Sequence, residues 1–439
     1  MKVRPQMLLG ILLFGLVSTS ASAQDFYWNT ASARSQALGG VYVPSSSDAL
    51  DAIAANPAGL TSLSSRTLDM SLSSVFARGS FSNSVNDGAP MTTSPGVLPY
   101  GAFGMPIGHS RFSFGVGIMP DLMSVSDWNY VDAPGTAGAT YGMQEQKSAI
   151  MAVRMAGGLG ASFGKRFSVG ATVGTDYNTN TLHAPYIFQS EPTMKGLKTL
   201  LDLHTNGWGW NTSVGVLARP LRKVEVGVAW KSHTVIDSHG YATGDAYAQF
   251  AALGVNAPSD FHYSAEVGNI LPQSVLASLA WHANPRWVLA FQTNWVNWSN
   301  AFVTLPVTLT NGTNATINTI AGSSTLVDGI PVNWKDQTSY HVGVEHLMTE
   351  KISVRFGYAY GNNPVPSSTL TPMTAAIMSN RISTGFVFHP GRARFEAAYS
   401  FDPTAQAQVQ QSGLLAGEYN NSTVRVGTQA LTLGYSFRF

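Results

Sequence analysis

The chain has 439 residues, enough for two or three soluble domains or one large unit. Only 11% of them are charged, about half the roughly 25% usual in soluble domains. The formal net charge of +1 gives no basis for binding nucleic acid, and the absence of cysteine excludes disulfides and thiol chemistry. Hydrophobic residues still make up only 44%, and mean hydropathy is close to zero. Few charges without high hydropathy is what results when apolar and small polar residues alternate, because each cancels the other in a window average.

At the N-terminus, Lys2 and Arg4 precede the apolar run Met7–Val17, and Ala21-Ser22-Ala23 offers a small-x-small cleavage site. This pattern predicts a cleaved secretory signal peptide over residues 1–23, with an apolar core too short to cross a bilayer. No later run approaches the length of a membrane helix. The mature chain is therefore expected to be exported, either as a soluble protein beyond the inner membrane or as a β-barrel.

Residues 24–65 do not alternate. They are rich in small residues, among them Ser32, Ala33, Ser35, Ala37, Gly39 and Gly40. Ser45–Ser47 with Asp48 are expected to cap a short helix through Ala55, which Pro57 would stop.

From Arg66 onward the pattern has period two. Leu431, Leu433, Tyr435, Phe437 and Phe439 share one face, with Thr432, Gly434, Ser436 and Arg438 on the other. Large aromatics on one face and Gly, Ser and single charges on the other suit a lipid-facing exterior and a polar lumen. Such segments cover approximately 67–82, 98–107, 110–121, 145–163, 166–183, 206–219, 222–239, 272–283, 286–302, 336–347, 351–361, 380–389, 392–402 and 428–439. The even count of fourteen suits a single-chain bacterial barrel. Connections alternate between short turns, such as Gly108-His109 and Pro390-Gly391, and long ones, such as 184–205, 240–271 and 303–335. That rhythm matches short periplasmic turns and longer external loops. The final Phe439 is the kind of terminal residue that barrel-assembly machinery reads.

The fold expected is all-β: a transmembrane antiparallel barrel of about fourteen strands over 66–439, with residues 24–65 as a plug. Side chains alone do not fill so wide a lumen, and the segment before the first strand is available to occupy it.

The motifs agree with that reading. Ala33-Arg34-Ser35-Gln36-Ala37-Leu38-Gly39-Gly40, Asn56-Pro57-Ala58-Gly59-Leu60, Leu271-Pro272-Gln273-Ser274, Trp295-Val296-Asn297-Trp298-Ser299 and Pro364-Val365-Pro366 follow one another in order. Together they resemble the FadL family of outer-membrane transporters for long-chain fatty acids and other hydrophobic compounds. The resemblance implies a hatch that carries Asn56, Pro57 and Ala58 as its motif, and Arg34 within it is the expected latch to the wall. It also implies ligand capture at external loops, diffusion without cofactor, and lateral exit where the third strand kinks. In this chain Gly115, Gly117 and Pro120 are the candidates for that kink.

Met194, Leu197, Leu200 and Leu201 fall at helical spacing in one long loop, and Tyr247, Phe250 and Leu253 form an apolar stretch in the next. These are the expected capture residues, or else they pack on each other to cap the barrel. For a carboxylate ligand, Arg154, Lys231, Arg355 and Arg381 are the mid-strand cations able to act as a handle, and Arg111, Arg166, Arg394 and Arg438 also read as inward-facing. Carboxylates such as Asp69, Glu225, Glu345 and Glu396 are their competing partners.

Enzymatic readings find no support: there is no Gly-x-Ser-x-Gly elbow, and the histidines show no metal-ligand spacing. The favoured function is uptake of long-chain fatty acids across the outer membrane of a Gram-negative bacterium, by a monomer embedded in lipid. The rivals are an aromatic-hydrocarbon channel of the same family, a porin for small polar solutes, and an adhesion or phage receptor.

Overall fold

The computed structural model describes residues 31–44, 48–92 and 95–439. The expected signal peptide, the start of the plug segment and the capping residues Ser45–Ser47 lie outside them.

Fourteen strands close into one antiparallel wall. In order they are Thr67–Ser82, Gly96–Pro106, Phe112–Val131, Met143–Phe163, Phe167–Ile187 and Lys198–Leu221, followed by a seventh broken into Val224–Lys231 and Thr234–Asp245. The eighth is Asp260–Leu271 with Ser274–Asn284, the ninth Trp287–Val296 with Thr304–Thr310, and the tenth Leu326–Pro331 with Gln337–Thr349. Ile352–Gly361, Asn380–Phe388, Ala393–Val409 and Ser422–Arg438 complete the wall. Closure comes from the first and last strands, which pair from Thr67↔Arg438 to Ser82↔Thr423. The Phe439 amide adds a bond to the Arg66 carbonyl at 2.9 Å.

The period-two pattern locates the wall because lipid demands apolar side chains on the outward positions. Leu72, Ile118, Leu159, Trp210, Phe356 and Leu433 are all exposed, Trp210 by 73%. A soluble protein would not leave so continuous an apolar surface in water.

Several strands run far beyond the lipid. The sixth has 24 residues, whereas roughly 9–11 cross a bilayer. Its outward positions change from Trp210 and Trp208 to Asn206, His204 and Asp202, yet the ladder to the fifth strand continues through Leu201↔Ala184 and Leu200↔Pro185. The expected loops 184–205 and 240–271 are thus more than half strand, and 303–335 is strand over Thr304–Thr310 and Leu326–Pro331. The helical spacing expected from Met194 to Leu201 is overturned for the same reason. Lys198 onward is extended, because backbone pairing with the fifth strand satisfies every polar group that a helix would have bonded internally. By contrast, Tyr247–Leu253 is a helix, closed by Gly254 at φ 69°.

Inside the wall, helix α1 (Ala33–Ala37) is capped by Ser32 and Ser35 in a reciprocal box. Helix α2 (Ala49–Ala54) ends before a 3-10 turn, Pro57–Ser62. Pro57 therefore opens the next turn as well as following the helix. Asp48 stands at the N-cap position of α2 but makes no capping bond. Instead wall residue Asp69 accepts the amides of Ala49 at 2.6 Å and Leu50 at 3.3 Å.

Candidate transport site: plug, wall and two cavities

Glycines on the inner wall let the plug backbone lie directly against the strands. A Cβ at Gly215 would stand 2.1 Å from Asn56 Oδ1, and one at Gly357 would stand 2.1 Å from the Leu38 carbonyl carbon and the Gly39 nitrogen. Only glycine fits at such approaches. Asn56 then uses its whole amide: Oδ1 accepts the Ala58 amide at 3.1 Å, while Nδ2 donates to the carbonyls of Val216 at 3.0 Å and Val228 at 3.4 Å. Pro57 and Ala58 rest against Gly170 of the fifth strand.

On the opposite side the plug is held by charge. Asp48 pairs with Arg394 of the thirteenth strand and with Arg34 at 3.5 Å, and Arg34 also reaches Glu345 of the tenth strand at 3.2 Å. Arg355 bridges Glu345 at 3.1 Å and Glu396 at 2.9 Å. Against the burial that would lower it, Glu345 and Asp48 raise the Arg34 pKa. His341, buried, is hydrogen-bonded through Nδ1 to the Gly39 carbonyl at 2.7 Å, whereas His346 stacks on Trp287 at the outer face.

The four proposed handles therefore have different surroundings. Arg381 makes a two-point contact with Asp402, both distances 2.8 Å. Arg355 is committed to the two glutamates and Lys231 to Asp121. Arg154 donates to neutral groups: Asn211 at 2.8 Å, Thr172 at 2.9 Å, Ser213 at 3.0 Å and the Ile53 carbonyl of the plug at 3.4 Å. Arg111 and Arg166, read as inward-facing, are exposed at the short turns, where Arg111 covers the rings of Phe112 and Phe163.

The third strand departs from the wall. It pairs with the second only from Gly101↔Ile118 to Pro106↔Ser113. Its register against the fourth shifts between Pro120 and Leu122, so that Asp121 is the extra residue. From Leu122 to Trp128 every residue is buried, which requires both faces to be covered. The strand returns to its neighbourhood at the Met91↔Trp128 bridge. Gly115 and Gly117 lie below this interval, and the Gly115 position faces Leu60 and Ile53 of the plug. Met123 and Val125 of this interval pack in one apolar cluster with Val75 and Leu98 of the first two strands.

Two cavities of about 140 Å³ each lie inside. The lower one touches plug residues Tyr42 and Ala55, the bend at Met119–Leu122, and Arg154 and Lys231. The upper one lies under the external segments, lined by Ile150, Leu182, Tyr186, Leu201, Leu203, Phe302, Val332, Trp334, Leu414 and Tyr419 among others. Among the described residues no lysine, arginine or histidine lines it, and Glu418 is its one carboxylate. Of the expected capture residues, Leu201 lines this cavity. Met194 and Phe250 are buried in the apolar cluster that includes Leu201 and Leu203, and Leu197 packs against that cluster. Leu200 is half-buried, and Tyr247 and Leu253 are exposed. The aromatic wall of the upper cavity was not singled out in the sequence, whereas Trp298, which lines the lower cavity, stands within a motif that was.

The family described as "Outer membrane protein transport protein (OMPP1/FadL/TodX)" has a sequence model that matches residues 14–439. The chain belongs to this family. Its members are transport channels of the Gram-negative outer membrane. Among solved structures, a FadL homologue of Pseudomonas aeruginosa superposes with a TM-score of 0.75 at 17% identity, over 94% of this chain and 100% of that one. The Pseudomonas putida toluene transporter TodX gives 0.73 at 16%, over 95% and 99%. The Ralstonia pickettii toluene transporter TbuX gives 0.66 at 16%, over 92% and 97%. At these identities the likeness establishes the fold alone. No curated protein sequence matches the chain.

Proposed function

We propose that this OMPP1/FadL/TodX-family channel carries small uncharged hydrophobic compounds, with single aromatic rings as the preferred class, rather than long-chain fatty acids. The supporting observation is the upper cavity. Its volume of about 140 Å³ compares with the roughly 150 Å³ apolar cavity that stays dry and binds benzene. A carboxylate entering it would be desolvated beside Glu418, whose cation partner Lys198 is already shared with Asp132 and does not line the cavity.

In this reading the apolar external segments around Phe250 and Leu201 collect ligand, and the upper cavity holds it. Ligand then descends to the lower cavity and leaves through the gap beside Met119–Leu122, while the plug around Asn56, Pro57 and Ala58, latched by Arg34, keeps polar solutes out. A second reading rests on Arg154: it lines the lower cavity and is bonded to neutral groups, so a fatty-acid carboxylate would find a cation there.

Uptake of labelled toluene and of labelled oleate by cells with and without the gene separates the two readings. Dependence of toluene uptake alone on the gene supports the first, and dependence of oleate uptake alone supports the second. If neither depends on it, transport of both classes is refuted.

A further inference from the structure

The two cavities are stacked along the barrel. The third strand contributes Leu122 to the lower and Ser124 to the upper, and the eighth contributes Leu271 and Asn269 in the same sense. The step on each strand is two residues, roughly 7 Å. The breaks within the ninth and tenth strands cross the same level: Trp298 lines the lower cavity and Phe302 the upper from the first break, and Trp334 lines the upper from the second.

Those three rings meet one another. Trp298 stands edge-on to Phe302, with centroids 4.9 Å apart, and to Trp334 at 5.1 Å, while Phe302 and Trp334 are 5.0 Å apart and inclined at 33°. Rings in mutual contact at these spacings leave no passage for a further ring, because carbon atoms already touch at roughly 3.5–4.0 Å. The arrangement is held from outside the rings. The Trp334 amide donates to the Phe302 carbonyl at 2.9 Å, and the Val332 and Asn333 amides both donate to the Val303 carbonyl at 3.0 Å. Trp298 Nε1 donates to Gln337 at 3.4 Å.

We propose that Trp298, Phe302 and Trp334 form an internal door between the two cavities, and that displacing one of its rings is the step that limits ligand cross-section. The door rests on the reading of the cavities as a ligand path. It is distinct from the plug, because none of the three residues belongs to residues 31–63.

Because the chain has no cysteine, Trp334→Cys gives a single thiol at the door. Trp334→Cys and, separately, Phe302→Leu are compared with the full-length parent for uptake of labelled toluene and labelled naphthalene, with assembly checked by heat-modifiable gel mobility. The expected result is a rise of at least fivefold in the naphthalene-to-toluene ratio for either assembled variant. Benzyl methanethiosulfonate on Trp334→Cys restores a ring and should return the ratio towards the parent, with reduction reversing it. A ratio unchanged in the assembled variants, with toluene uptake intact in the parent, overturns the door and leaves the proposed ligand class standing. A parent that takes up neither compound overturns both.

Discussion

The upper cavity and the plug–wall contact lie in the same lumen and are built by opposite means. Under the external segments the lining is mainly aliphatic and aromatic, and among the described residues Glu418 is its only carboxylate and no cation lines it. At the plug, Arg34, Arg355 and Arg394 interlock with Asp48, Glu345 and Glu396. Charge is placed where two pieces of the chain must stay in register, since a paired buried charge resists separation more than an apolar contact does. At the upper cavity the charge is confined to Glu418, which is paired with Lys198 at 2.8 Å, so no bare charge holds water there. An inward-facing arginine in this barrel is by default a structural group, and its partners decide whether it can bind a ligand.

The largest effect should follow from forcing the plug off the wall. Gly357→Val places a side chain where Leu38 and Gly39 lie, so the barrel should assemble but lose its seal. Conductance in planar bilayers should rise at least tenfold over the parent. A barrel that assembles and stays closed would show that this contact does not set the position of the plug.

A smaller effect is expected at the upper cavity. Asp328 accepts from the Tyr186 hydroxyl at 2.6 Å, from the Ser190 amide and hydroxyl at 2.5 and 2.7 Å, and from the Gln189 amide at 2.9 Å. It thereby fixes one side of the cavity wall. Asp328→Ala removes a buried acceptor for several donors, a loss of roughly 1–3 kcal/mol for each donor left unpaired. Toluene uptake at low concentration should fall several-fold, with conductance unchanged. If conductance rises instead, Asp328 serves the seal and the two regions are not separable.

Arg154→Leu sharpens the comparison at its weakest point, because Arg154 lies between the regions. Toluene uptake should stay within about twofold of the parent, as expected when a group does not contact the ligand in a way that affects transport. Parent-level oleate uptake abolished by this change would transfer the function to the carboxylate reading.

The smallest effect is a pH dependence of the external cap. Lys198, fully buried, joins Asp132 at 2.8 Å and Glu418 at 2.8 Å. Burial, opposed by Lys198, pushes the Glu418 carboxyl up to about 7. An acid raised in the folded state stabilises the cap relative to its opened form at low pH, and that stabilisation is lost as pH rises through about 7. Proteolysis of the external segments should therefore speed up between about pH 5 and 8, and Glu418→Gln should flatten the profile. A flat profile in the parent would remove Glu418 as the titrating group.

The wall was legible in the sequence because lipid imposes the same rule on every outward position. Where the strands leave the lipid, as at Asn206, His204 and Asp202, outward residues become polar like inward ones and the alternation loses its contrast. That is why the extensions read as loops, and why Met194 to Leu201 passed for helical. The plug motif was visible as small residues and Asn56-Pro57-Ala58, but its docking depends on wall glycines such as Gly215 and Gly357, which look like any other glycine in a strand. The upper cavity was the least legible part. Its wall gathers Tyr186 from a strand, Phe302 and Trp334 from breaks within two strands, and Leu414 and Tyr419 from one connection, and no spacing links residues that only the closed barrel brings together.

The most direct test is to soak crystals of the full-length protein with 4-bromotoluene and, separately, with a terminally brominated long-chain fatty acid, and to map bromine by anomalous scattering. The account predicts a bromotoluene peak in the upper cavity among Tyr186, Phe302 and Trp334, and no ordered fatty-acid carboxylate there. A fatty acid ordered with its carboxylate on Arg154, and no bromotoluene in the upper cavity, would contradict it.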